Sequence, residues 1–163
     1  MFAKPFYNFL YSLFLVAITA AFSSYFNRAG MQSFYPSLNV SVLTPPNFVF
    51  PIVWGFLYLL LIIAFDMVLN SGKSESVRQA ATMFTLSMFL HVLWTYVFFY
   101  NAYFLTGFAV LVVLDFVTAV MLYYFYQVNK TAAIMLIAYF LWLLFATYLN
   151  WAIVDLNGTV LQV

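Results

Sequence analysis

The chain has no cysteine and very few charged residues. Among its 163 residues there is no Cys, and only 6% are Asp, Glu, Lys or Arg. Without cysteine the protein can form no disulfide, thiolate nucleophile or cysteine-ligated metal site. Soluble globular domains are roughly a quarter charged. So few charges cannot cover a water-exposed surface, which excludes a soluble globular domain.

Other absences limit the function. The net charge is only +1 and the basic residues form no run, so we expect no nucleic-acid partner. The single histidine cannot form an ordinary metal site alone. The sequence also lacks closely paired carboxylates, a glycine-rich phosphate loop and a nucleophile elbow. We therefore predict no catalytic residues, no metal and no required cofactor; an enzyme is not favoured, although the question stays open.

Apolar residues dominate what is present. They make up 67% of the chain, with a mean hydropathy of +1.04. Backbone polar groups must be paired inside lipid, and the alternating pattern of barrel strands is missing, so the spanning segments must be helices. The prediction is one all-α integral membrane domain over 1–163, a bundle of five transmembrane helices partnered by the lipid bilayer. The helices are expected at about 6–26, 47–69, 79–100, 105–127 and 132–156.

A long connection, 27–46, separates the first two predicted helices and contains Gly30, Pro36, Pro45 and Pro46. Loops of this length are often lids or binding elements. A plain surface loop is the alternative.

The basic residues predict the orientation. Lys4, Lys73, Arg78 and Lys130 fall on one side of a five-helix topology, and Arg28 on the other. Cytoplasmic loops carry the excess of Lys and Arg. The N-terminus is therefore expected in the cytoplasm and the long loop outside.

Two ionisable residues, His91 and Asp115, fall near mid-depth on the third and fourth helices. Such groups usually face a bundle interior, and pairing would lower the cost of burying both. We therefore expect a His91–Asp115 pair. It could be a polar anchor inside a pocket or only a structural bond between helices.

All four tryptophans fall toward the side of the long loop. Trp151 fits an interfacial aromatic belt, but Trp54, Trp94 and Trp142 lie too deep for one. Large aromatic faces around a cavity suit a flat hydrophobic ligand, with ordinary core packing as the rival interpretation. Small residues spaced along the first helix, such as Ala20 and Ser24, permit close helix contacts, either within the bundle or in a homodimer.

Several motifs resemble the translocator protein family (TspO, the tryptophan-rich sensory proteins). The segment Pro45-Pro46-Asn47-Phe48-Val49-Phe50 is followed by Val53-Trp54 and Leu57-Tyr58. Later come Trp94 with Phe98-Phe99, then Tyr139-Phe140-Leu141-Trp142, Phe145-Ala146-Thr147 and Leu149-Asn150. The order agrees with the family, and the resemblance covers about 35–157.

The resemblance implies a pocket that opens toward the long loop and binds porphyrins, protoporphyrin or haem-like, and other flat apolar ligands. Family members are described as transporters, sensors or light-dependent porphyrin-degrading proteins, and we expect a multi-pass protein of a bacterial cell membrane. With the aromatic residues above, the resemblance predicts these ligand-binding positions: Phe48, Trp54, His91, Trp94, Phe108, Trp142, Ala146, Leu149 and Asn150.

Departures from the family pattern have consequences. His91 stands where members usually carry Asn, so binding could change between about pH 5 and 8, where an unperturbed imidazole titrates. Ala138 replaces a proline and removes an expected kink. No Lys or Arg follows Tyr148, so the forward sterol pattern is missing and cholesterol is not an expected partner.

Three functions remain open at this stage. The first is a receptor or carrier for porphyrins or similar flat ligands, with a transport or sensory role. The second is a porphyrin-modifying membrane enzyme acting by photo-oxidative degradation. The third is a structural or assembly subunit with no small ligand.

Overall fold

The computed structural model describes residues 3–72 and 74–159. The helices are α1 (Ala3–Gln32), α2 (Val49–Asn70), α3 (Glu75–Thr95), α4 (Phe104–Val128) and α5 (Lys130–Asn157). A short 3-10 helix (Tyr35–Ser37) lies between α1 and α2, and a π-helical turn (Tyr96–Tyr100) extends α3. All five long helices are long and apolar enough to cross a membrane, and no strand occurs in the described residues. The predicted all-α five-helix fold is confirmed.

Polar caps, which hydropathy does not detect, set two helix starts. The Ser74 side chain accepts a hydrogen bond from the Val77 amide at 3.2 Å, so α3 begins at Glu75 rather than at 79. The Asn129 side chain accepts from the Ala132 amide at 3.1 Å, and α5 begins at Lys130. Such caps satisfy backbone donors that have no partner within the helix.

The predicted long loop was wrong at its start. Helix α1 continues to Gln32, because 27–32 contains no proline and Gly30 keeps a helical backbone. The connection is therefore 33–48. Its first part contains the short 3-10 helix, Tyr35–Ser37, which includes Pro36.

The helices form a ring in the order α1, α2, α5, α4, α3, with α3 returning to contact α1. We call the basal end the one that holds the start of α1 and the α2–α3 and α4–α5 connections. Stacked phenylalanines fill the bundle toward this end: Phe65 lies on Phe84 with ring centroids 3.9 Å apart, and Phe84 lies 6.1 Å from Phe125. Aromatic packing thus fills the centre of the bundle at the level of these three rings.

The opposite end, here the loop end, is covered by the 33–48 connection. The Asn39 amide donates to the Asn157 side-chain oxygen at 2.8 Å, and the Asn157 amide group donates back to the Asn39 carbonyl at 2.8 Å. The hydroxyls of Ser41 and Tyr148 lie 3.0 Å apart. These contacts fasten the loop to α5.

Candidate ligand-binding cavity

The bundle encloses a cavity of about 520 Å³ in its loop half. Its walls come from α1, α2, α3 with its π-helical turn, α5 and the loop, whereas α4 contributes no lining residue. Nine aromatic residues line the cavity: Tyr35, Phe50, Trp54, Tyr58, Trp94, Phe98, Phe99, Trp142 and Phe145. Among the described residues no three potential metal ligands come together.

Seven of the nine predicted binding residues line this cavity: Trp54, His91, Trp94, Trp142, Ala146, Leu149 and Asn150. The structure thus brings them together, while ligand binding itself stays a prediction. Phe48 and Phe108 do not join them. Phe48 directly precedes α2 and is 66% exposed. Phe108 belongs to α4 and packs against Trp151, with centroids 5.2 Å apart, so it faces away from the cavity.

Edge-to-face contacts fix the tryptophan rings. Trp54 meets Trp142 at 6.4 Å with an interplanar angle of 85°, and it meets His91 at 4.6 Å and 88°. Trp142 also meets Phe50 at 6.1 Å. Aromatic pairs favour this geometry. The indoles are therefore held in place before any ligand arrives.

The His91 imidazole sits at the deep end of the cavity between two tyrosines. Its Nε2 lies 3.3 Å from the Tyr58 hydroxyl, and its Nδ1 lies 3.5 Å from the Tyr139 hydroxyl. Tyr139 is in turn 3.4 Å from Ser87, which lies 3.2 Å from Thr118. A buried chain of polar groups thus runs from the cavity floor into the α3–α4 contact.

The predicted His91–Asp115 pair was wrong. Asp115 accepts a hydrogen bond from the Thr147 hydroxyl at 2.7 Å, and its other carboxylate oxygen has no partner. The reason is helix geometry: His91 faces α2 and α5, while Asp115 lies on α4, outside the cavity wall. Asp115 ties α4 to α5, as the structural alternative proposed, but with a different partner.

Asn150 of α5 joins α3 and α4 by hydrogen bonds in the loop half of the bundle. It accepts from the Trp94 indole N–H at 3.2 Å and donates to the Phe104 carbonyl at 2.8 Å, both buried. A side chain at Gly107 would come within 3.1 Å of the Asn150 oxygen, so a glycine there permits this contact. Trp94 is therefore oriented by a buried hydrogen bond.

The wall that α1 supplies was not predicted. Ala20, Ser23, Asn27 and Met31 line the cavity at spacings of three and four residues, which place them on one helix face. Small residues on a membrane helix indicate close helix packing, and by themselves they do not indicate a cavity wall. Their combination with Asn27 and Met31 on the same face was the missing clue.

Tyr35, from the 3-10 helix of the loop, was also missed. Its side chain reaches the cavity and stands 6.0 Å from Phe99 between ring centroids. Burial raises the pKa of Tyr35 above its ordinary value of 10.0. The hydroxyl therefore stays neutral at physiological pH and can donate a hydrogen bond.

The π-helical turn shapes the same wall. Both Phe98 and Phe99 line the cavity from this turn, and such turns occur frequently at functional sites. Gly30 of α1 packs against it so closely that an added Cβ would lie 2.5 Å from the Phe99 carbonyl oxygen. Close approach of α1 thus requires glycine at this position.

Comparison with known proteins agrees with this architecture. The TspO/MBR family profile matches residues 12–156. The tryptophan-rich protein TspO of Archaeoglobus fulgidus is 33% identical over 83% of this chain and 87% of its own length. The tryptophan-rich sensory protein of Cereibacter sphaeroides is 30% identical over 77% of this chain and 78% of its own. The protein CrtK of Rhodobacter capsulatus is 30% identical over 77% of this chain and 79% of its own. This chain is an integral multi-pass membrane protein and belongs to the TspO/MBR family.

Proposed function

We propose that the protein is a membrane receptor or carrier for porphyrins or similar flat hydrophobic ligands, which bind in the aromatic cavity. The observation that carries the proposal is the cavity of about 520 Å³ with three of the four tryptophans in its wall. Ligand pockets of this size are typically apolar with a few placed polar groups. A flat aromatic ligand gains stacking energy from indoles beyond the burial of area.

The polar groups would orient such a ligand. His91 and Tyr58 offer hydrogen bonds at the floor, and Tyr35 and Asn47 do so near the loop. The loop would act as a lid, because the Asn39–Asn157 hydrogen bonds hold it over the cavity. Opening the lid requires these bonds to break, which slows entry and release alike.

The biological role that we propose is transport or sensing of the bound ligand. The relative from Cereibacter sphaeroides is named a sensory protein, which supports a regulatory role here. We also propose a bacterial cell membrane, with the N-terminus in the cytoplasm, and no cofactor besides the ligand. A homodimer remains compatible with the exposed apolar helix faces.

Tryptophan fluorescence of the detergent-solubilised protein tests the proposal. Protoporphyrin should quench it saturably. Because each indole contact is worth about 0.5–1.5 kcal/mol, a Trp94→Phe and Trp142→Phe double variant should bind about fivefold more weakly.

Trp151→Phe is the matched control, because Trp151 packs on Phe108 outside the cavity. It should lower total emission and leave the dissociation constant unchanged. If the double variant binds protoporphyrin as tightly as the wild type does, the site is wrongly placed. Quenching that never saturates would remove the proposal.

A porphyrin-modifying enzyme is the second candidate, favoured by the direct exposure of indoles to the cavity. Illumination of the complex should then change the pigment spectrum, and an unchanged spectrum would leave binding alone. A subunit without a small ligand would show no thermal stabilisation by hydrophobic ligands, although a true ligand stabilises the state that it binds.

A further inference from the structure

A second cavity lies at the basal end, far from the aromatic one. It has a volume of about 470 Å³ and is bounded by the start of α1, the end of α2, the α2–α3 connection and the first turns of α3. We call it the basal cavity. Its lining combines apolar residues, Leu69, Val77 and Ala81, with charged and polar ones, which are Lys4, Asn8, Ser74, Glu75 and Arg78.

The lining is positively charged. Two basic residues and one acidic residue, Lys4, Arg78 and Glu75, give a net charge of +1. Arg78 contacts Glu75 only through Nη2, at 2.8 and 2.6 Å from the two carboxylate oxygens. A guanidinium carries five N–H donors, so its remaining donors can reach a second acceptor. Lys4 forms no ion pair within residues 3–72 and 74–159.

The polar wall is held in place by hydrogen bonds. Asn8 donates to the Leu69 carbonyl at 3.2 Å and to the Asn70 side chain at 2.8 Å, which joins α1 to α2. Ser74, which caps α3, also lines the basal cavity. The positive end of the α3 dipole therefore lies beside this cavity. Gly72 has φ 113° and leaves open space where a side chain would be.

The ends of membrane-spanning helices lie near the level of the lipid headgroups. The basal cavity is built from the terminal turns of three spanning helices. Next to Lys4 on α1, Phe6 and Tyr7 are 60% and 66% exposed, and aromatic side chains are enriched at membrane–water interfaces. A ligand in this cavity would therefore have its head in the polar lining and its apolar part along α1.

We propose that the basal cavity binds the phosphate group of an anionic phospholipid. Basic pockets between membrane helices on the cytoplasmic side are suited to such headgroups. Arginine donates paired hydrogen bonds to phosphate oxygens, and lysine adds a point charge. This site is independent of the porphyrin proposal, because the two cavities share no residue.

Thermal unfolding of the full chain in neutral detergent tests the inference. Phosphatidylglycerol should raise the Tm saturably, and phosphatidylcholine should not, because a ligand stabilises the state that it binds. Each basic residue near an anionic surface contributes about 1 kcal/mol. Lys4→Gln and Arg78→Gln should therefore each weaken phosphatidylglycerol binding about fivefold, while Glu75→Gln, which removes a competing carboxylate, should strengthen it.

Lys130→Gln is the control. Lys130 carries the same charge at the same end but lies on α5, outside the basal cavity, over the Tyr126 ring at 5.4 Å. Its loss should change the affinity less than about twofold, as expected for long-range screened charge. If Lys130→Gln weakens binding as much as Lys4→Gln does, general surface charge explains the effect and the inference is overturned.

Inorganic phosphate distinguishes the two sources of the same chemical group. An equal saturable shift with inorganic phosphate alone would overturn the lipid assignment in favour of a free anion. An equal shift with phosphatidylcholine would overturn the requirement for negative charge. Protoporphyrin quenching should be unchanged in all these variants, so this test and that of the aromatic cavity can fail separately.

Discussion

The protonation of His91 depends on the groups that surround its imidazole. Both ring nitrogens face tyrosine hydroxyls, at 3.3 and 3.5 Å, and no carboxylate of the described chain contacts it. A protonated ring would therefore place an uncompensated charge beside an apolar ligand, which is costly. Because the ring is buried, at 1% exposure, and has no carboxylate beside it, we expect it to stay neutral, so the pH dependence of binding that the sequence suggests should be absent.

This prediction is measured as the protoporphyrin dissociation constant between about pH 5 and 8. The ligand's own carboxylates also ionise, so the informative quantity is the ratio between the wild type and His91→Asn at each pH. We expect this ratio to stay constant across the range. A ratio that changes with pH would show that His91 titrates against the ligand and would contradict the prediction.

Asn150 should matter for stability as well as for the cavity. Asn150→Leu preserves most of the volume but leaves the Trp94 indole N–H and the Phe104 carbonyl without their buried partner. Each unpaired buried group costs about 1–3 kcal/mol, so thermal unfolding in detergent should show a clear loss of stability. The comparison is Asn101→Ala, which removes an exposed hydrogen bond to Tyr96 and should cost about 1 kcal/mol or less. Equal losses in the two variants would contradict the importance of the buried pair.

At the scale of the helices, hydropathy located all five spans but not their ends. The start of α3 depends on Ser74 and that of α5 on Asn129, which are polar caps next to apolar runs. The end of α1 lies beyond the apolar run because residues 27–32 contain no proline and the next proline is Pro36. The π-helical turn was not predicted, and its close contact with α1 at Gly30 is a tertiary contact that the local sequence does not indicate.

Depth along the helices was enough to predict that the deep tryptophans lie together, whereas the direction in which a helix face points could not be predicted from depth. The deep Trp54 and Trp142 line the cavity. The position of Phe108 was inferred by resemblance, which supplies a place in the chain and not the direction of a side chain. The side chain of Phe108 packs against Trp151 of α5 instead.

Gly30 tests the contact between α1 and the π-helical turn. In Gly30→Ala the new Cβ would lie 2.5 Å from the Phe99 carbonyl and 3.0 Å from its Cα. Backbone atoms cannot move aside cheaply, so α1 must shift, at a cost of about 1–3 kcal/mol.

Gly55→Ala is the matched control, because nothing lies within 4 Å of its added Cβ. Replacing a helical glycine there should stabilise by about 0.5–1 kcal/mol. Both are measured by thermal unfolding, and equal behaviour would argue against a tight α1 contact.

For the whole molecule, an odd number of spans places the two termini on opposite sides of the membrane. The basal end holds Lys4, Arg78 and Lys130 with Glu75 and Asp66, whereas the loop end holds Arg28 and Asp155. Lys73, also used in the orientation prediction, lies outside the described residues. The positive-inside rule counts Lys and Arg near span ends and gives Asp and Glu little weight, so the basal end should face the cytoplasm.

The absence of cysteine makes this orientation directly measurable. A single cysteine introduced as Val42→Cys lies in the fully exposed part of the loop, at 100% exposure. Ser71→Cys lies in the α2–α3 connection, also exposed. In intact cells a membrane-impermeant maleimide should label Val42→Cys and leave Ser71→Cys unlabelled until the membrane is permeabilised.

The reverse pattern would place the aromatic cavity and its loop on the cytoplasmic side, and a ligand would then have to reach it from within the cell. Equal labelling of both sites in intact cells would indicate mixed insertion, which is the expected result if so few charges do not set the orientation.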